Sequence, residues 1–114
     1  MSLIDKISSW VDFLESIWNL IERIVRGVLS FAKDILKFFK DPSRLKKLKE
    51  DSNKLAISIK ENLENGEYRV VNCLFDQEEN TIEDLDDEAI GIEAEQLDLQ
   101  TEKAFGNREM IILQ

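Results

Sequence analysis

Apolar residues over the first forty positions fall into three heptad columns without exception. Leu3, Trp10, Ile17, Ile24, Phe31 and Phe38 form one column, Ile7, Leu14, Ile21, Val28 and Ile35 a second, and Ile4, Val11, Trp18, Val25, Ala32 and Phe39 a third. Such spacing predicts an amphipathic helix from about residue 3 to residue 40, in a stretch with no proline and a single glycine, Gly27. Phe13 and Leu20 widen one edge of the stripe in its first half, and Leu29 and Leu36 widen the opposite edge in its second half. A straight helix needs this, because a strict heptad drifts by roughly 20° per repeat. The stripe then covers roughly 200° of the circumference, wider than a two-stranded coiled-coil seam.

Asp41-Pro42 supplies a stop and a restart. Asp41 can cap a following helix, and Pro42 suits its first position, where no amide donor is required. The spacing of Leu45, Leu48, Leu55, Ile59 and Leu63 predicts a second helix over residues 42–64, interrupted by Ser52 and ended by Asn65-Gly66. Beyond it, "YRVVNCLF" (residues 68–75) is β-branched and aromatic and reads as a strand, and "EMIILQ" (residues 109–114) reads as another after the Gly106-Asn107 turn. Between them, residues 92–105 suit a short helix with Ala94, Leu97, Thr101 and Ala104 near one face. The predicted fold class is α+β. A helical hairpin over residues 1–66, half of a helical bundle, carries an acidic β-containing segment over residues 67–114, and the two form one folding unit.

That architecture leaves apolar surface without a cover. The first helix would extend about 57 Å and the second about 33 Å at the α-helical rise, so Trp, Phe and Ile side chains would stay exposed beyond what a soluble monomer tolerates. The expected interaction face comprises Trp10, Phe13, Leu14, Ile17, Trp18, Ile21, Ile24, Val25, Val28, Phe31, Ile35 and Phe38. Its expected occupant is another copy of the chain or a protein partner; ordinary core packing is the plainer reading of the same stripe. A membrane surface is the alternative, although Asp5, Asp12, Glu15 and Glu22 occupy the polar face where lysine and arginine are usual.

Charge separates the two halves of the chain. Residues 1–69 carry a net charge of +2 and residues 70–114 a net charge of -11. The basic cluster Lys37, Lys40, Arg44, Lys46, Lys47 and Lys49 could meet phosphates or attract the acidic half. The overall acidity argues against nucleic acid. Glu83, Asp84, Asp86, Asp87 and Glu88 form the expected acidic surface, either a solubilising face or a lure for a basic toxin or nuclease. A calcium loop starting at Asp86 would place Gly91 sixth, but Ile90 stands fifth and no glutamate occupies the twelfth position.

Chemistry is sparse. The chain has no histidine, which removes the commonest general base and a usual zinc ligand. No phosphate-binding glycine loop or nucleophile elbow appears, and acid pairs such as Asp84 with Asp87 carry no information inside so acidic a run. No catalytic, cofactor-binding or metal-binding residue and no small-molecule substrate is therefore expected. Cys73 is the single cysteine and reads as a buried strand residue of a reducing compartment. Without a signal-like start or an uninterrupted apolar span, the expected location is cytoplasmic, with peripheral membrane attachment as the variant.

Overall fold

The computed structural model describes residues 23–79, 81–83 and 88–113. Among these residues six strands form one sheet, β1 (Arg23–Leu29), β2 (Lys54–Asn62), β3 (Tyr68–Asp76), β4 (Thr81–Ile82), β5 (Ala89–Leu97) and β6 (Met110–Leu113). The strand order is β1-β5-β3-β2-β6, and β4 pairs with the end of β3. Among the described strands only β1 and β5 run parallel; the remaining pairs are antiparallel. Three short helices complete the described chain. Helix α1 is wound as a π-helix over Phe31–Leu36 and as an α-helix over Lys37–Phe39, α2 spans Pro42–Glu50, and α3 spans Leu99–Phe105.

A period of two explains the centre of this sheet. On β2, Leu55, Ile57 and Ile59 point to one face and Ala56 and Ser58 to the other, and β3 continues this with Val71, Cys73 and Phe75 against Val70, Asn72 and Leu74. Both faces are apolar. The helices cover one of them, where Ile35 and Phe39 of α1, Leu48 of α2 and Phe105 of α3 meet Val70, Leu74 and Ile92. Within this layer a polar chain ties α1 to the sheet. Ser58 Oγ donates to Asn72 Oδ1 at 2.8 Å, and Asn72 Nδ2 donates to the Asp34 carbonyl at 2.9 Å. Asn72 and Ser58 are fully buried. Asn72→Ala is expected to lower stability by about 2–3 kcal/mol, because it leaves the buried Ser58 hydroxyl and the half-buried Asp34 carbonyl without their partner; a urea denaturation midpoint measures it.

The predicted fold class is overturned: the described chain is mainly β-sheet with short helices, not a helical hairpin or a helical bundle. Where the long helix was expected, Arg23–Leu29 is a strand. Ile24, Val25 and Val28 are β-branched and favour extended backbone, and Gly27 weakens a helix interior. Helix begins only after Ser30, whose hydroxyl accepts from the Lys33 amide while its own amide donates to Asp34 Oδ2 at 2.7 Å. The part of that expectation over residues 3–22 lies outside the described residues.

The second predicted helix stops early. It starts as expected, with the Asp41 carboxylate accepting from the Ser43 and Arg44 amides and Pro42 at the first turn, but it ends at Glu50. Asp51 then turns the chain by accepting from the Asn53 amide at 2.9 Å. Asn65-Gly66 closes the β2–β3 hairpin instead of a helix, with Gly66 at φ +85°. The helix expected over residues 92–105 is likewise a strand through Leu97 and a helix only from Leu99. The strands expected at residues 68–75 and 109–114 are present as β3 and β6.

Candidate functional site

Uneven strand lengths open a groove beside β2. Strand β6 has four described residues and pairs with Ala56–Ile59, so among the described residues the Lys54–Leu55 end of β2 has no strand neighbour on that side. Helices α1 and α2 contribute the facing walls. The groove encloses about 490 Å³ and is lined by Leu36, Phe39, Leu45, Leu48, Leu55, Ala56 and Leu113. Lys40, Lys49, Lys54 and Ser52 supply its polar atoms. Cavities of this size with a carbon lining and a few polar groups are the usual shape of binding sites.

Helix α2 is built to leave the groove open. None of its residues is fully buried, and Leu45 on the rim is 36% exposed. Lysines at positions 46, 47 and 49 alternate with Leu45 and Leu48, so the helix presents apolar carbon beside positive charge. Of the rim lysines, Lys54 is held by Glu83, its ammonium 2.9 Å from Oε1, and this hydrogen bond keeps it charged above the ordinary lysine range. Lys40 and Lys49 are solvent-exposed and make no ion pair with a described residue. They remain available to an incoming acid.

The basic cluster identified in the sequence is therefore split. The Arg44 guanidinium carbon stands over the Phe38 ring, 3.8 Å from its centroid, and Arg44 Nη1 donates to the Phe38 carbonyl at 3.2 Å. Its Nε stands 3.5 Å from Glu88, which also meets Lys47 Nζ at 3.5 Å. Glu88 is buried by these contacts and does not face solvent. Two described members of the acidic run, Glu83 and Glu88, thus fold onto basic side chains of the same molecule; Asp84, Asp86 and Asp87 lie outside the described residues. Among the described residues no group of three or more acids and cysteines could hold a metal ion.

The expected interaction face is divided in the same way. Trp10, Phe13, Leu14, Ile17, Trp18 and Ile21 lie outside the described residues. Ile24 pairs with Ile92 through the backbone of β1. Val25 and Val28 are 76% and 54% exposed on β1, whereas Ile35 is fully buried and Phe31 and Phe38 are half-buried against the helix-side core. The described members of this set do not share one exposed surface. The groove was missed in the sequence because its lining comes from α1, α2, β2 and β6; the only signal was the alternation of leucine and lysine between Leu45 and Lys49.

No helix among the described residues is long and apolar enough to cross a membrane. Comparison with models of known protein families, with curated proteins and with solved structures finds no match, so the groove is read from its own geometry.

Proposed function

We propose that this protein is a non-catalytic interaction module and that its groove takes an apolar side chain of a protein partner flanked by acidic residues. The observation that carries the reading is the pairing of a carbon-lined groove of about 490 Å³ with the exposed ammonium groups of Lys40 and Lys49 at its rim. An inserted leucine or phenylalanine would be desolvated against Phe39, Leu48 and Leu55, and acids beside it would meet the lysines. Burying the apolar anchor supplies affinity, and the charges set orientation and speed of encounter.

Selection of a random peptide display library on the intact protein is expected to enrich leucine or phenylalanine next to aspartate or glutamate. Leu45→Asp should weaken those peptides by at least about tenfold, since it places a repelling carboxylate at the desolvated rim. Leu45 is exposed, so the substitution leaves the core intact. Enrichment of nothing, or peptides that bind Leu45→Asp equally well, would sink the reading. Binding of dodecanoate but of no peptide would replace it with a small amphiphile.

Self-association is a second reading, favoured by β1. Among the described residues this seven-residue strand pairs only with β5 and has no strand on its other edge, with Val25 and Val28 exposed. An open apolar edge can add a strand from a second copy. A solution mass of 26 to 27 kDa, twice the 13.3 kDa chain, that reverts to 13.3 kDa on Val28→Lys would support it; a monomer at all concentrations would reject it.

A further inference from the structure

A second cavity lies where β1 turns into α1. It encloses about 500 Å³, is lined by Arg26, Val28, Ser30, Lys33, Asp34 and Lys37, and shares none of these residues with the groove. A volume in this range suits a small molecule. The local sequence builds the walls. Arg26 and Val28 stand two apart on β1 and so share one face, and the cap at Ser30 turns α1 back beside it. The Lys37 amide donates to the Ala32 carbonyl five residues back, which gives this turn its π winding, a rare form that recurs at functional sites.

The polar groups around the cavity are unequally occupied. Both oxygens of Asp34 are engaged, Oδ2 by the Ser30 amide at 2.7 Å and Oδ1 by Arg26 Nε at 3.3 Å. Held at Nε, Arg26 keeps its terminal nitrogens for a further acceptor, and its side chain is half exposed. Lys33 and Lys37 are exposed and make no ion pair with a described residue. They lie four apart on one helix, where like charges repel, and a bound anion would relieve that repulsion. The Ser30 hydroxyl accepts from the Lys33 amide at 3.1 Å, which leaves its proton to donate. The Phe31 and Lys33 amides are already taken, by Asp98 and by Ser30, so the free donors are side chains and not the helix end.

We infer that this cavity binds the phosphate group of a phosphomonoester. Arg26, Lys33 and Lys37 against Asp34 leave two positive charges around the cavity, more than a carboxylate ligand would neutralise. A phosphate monoester is close to a dianion at neutral pH, and a guanidinium fork with ammonium groups matches its oxygens. Val28, 54% exposed, supplies an apolar wall for the organic group that the phosphate carries.

Titration of phenyl phosphate into the full-length, isotope-labelled protein tests this. Saturable shifts are expected at the amides of Arg26, Ser30, Lys33 and Lys37, with benzoate binding at least about tenfold more weakly for want of the second charge. The double variant Lys33→Gln, Lys37→Gln changes only exposed side chains and should weaken phenyl phosphate by at least about tenfold. Arg26→Lys keeps the charge but loses the fork, and should weaken it by about fivefold or more. Asp34→Asn separates positioning from net charge. Removing an acid would tighten binding if charge alone sufficed, whereas releasing Arg26 should weaken it; if this variant does not fold, Arg26→Lys decides the point. Vesicles of phosphatidylcholine containing phosphatidic acid separate the two sources of such a group: co-sedimentation that the double variant loses assigns it to a lipid, and no co-sedimentation assigns it to a soluble ester. Absence of shifts, shifts confined to other parts of the chain, equal binding of benzoate, unchanged affinity in the double variant or in Arg26→Lys, or tighter binding by Asp34→Asn would each overturn the proposal.

Discussion

Phe105→Ala is expected to remove about 3–5 kcal/mol of stability, the range for truncating a fully buried aromatic side chain. Phe105 has no solvent exposure and sits in the helix-side core. Helix α3 has seven residues, of which only Thr101 and Phe105 are buried. So short a helix has little stability of its own and depends on that anchor. The Lys60 ammonium stands 5.5 Å from the ring centroid and would lose its aromatic neighbour as well. Because α3 leads directly into β6, the loss should spread to the edge of the sheet. Urea denaturation should show the lower midpoint, and hydrogen exchange should show β6 amides opening before those of β3. Equal exchange in both strands would mean that α3 does not hold the edge.

Asp98→Ala should cost about 2–4 kcal/mol, since it removes several charge-assisted hydrogen bonds at a helix cap. The Asp98 carboxylate accepts from the Thr101 amide at 2.9 Å, from Thr101 Oγ1 and from the Phe31 amide at 3.1 Å, while its own amide donates to the Leu29 carbonyl. One side chain therefore joins the end of β1, the start of α1 and the start of α3. Burial alone would raise its pKa, but the hydrogen bonds from Thr101 and Phe31 outweigh this and hold the group below the ordinary aspartate value. A depressed carboxylate stabilises the fold above the unfolded-state pKa of about 3.9, and that contribution disappears as pH falls through the folded value. The stability difference between the protein and Asp98→Ala should be full near neutrality and shrink in acid. A difference independent of pH would mean that the carboxylate acts by shape and not by charge.

How far the sequence could be read depended on how local each signal was. Asp41-Pro42 starts α2 because capping and a fixed φ act within a few residues, and "YRVVNCLF" is a strand because its β-branched and aromatic side chains fit no helix of that length. The start of α1 at Ser30 was equally local: an acceptor hydroxyl at Ser30 and a returning carboxylate at Asp34 mark it. Heptad columns running through Arg23–Leu29 hid it. On β2 the misreading has a different source, since Leu55, Ile59 and Leu63 satisfy a helical period while Leu55, Ile57 and Ile59 satisfy a strand period. Ser58 lies buried beside them, its hydroxyl donating to Asn72 Oδ1 of the neighbouring strand.

By itself, then, the sequence determined the helix start at Asp41, the helix end at Gly106, the strands at residues 68–75 and 109–114, and the division of charge between the two halves. These follow from backbone and side-chain preferences that act over a few residues. Only the tertiary structure decided that β2 is a strand, that Glu83 and Glu88 turn inward onto Lys54, Arg44 and Lys47, and that Leu36, Leu45, Leu55 and Leu113 share one groove. Strand pairing and ion pairing join residues tens of positions apart, and no spacing along the chain encodes which of them will meet.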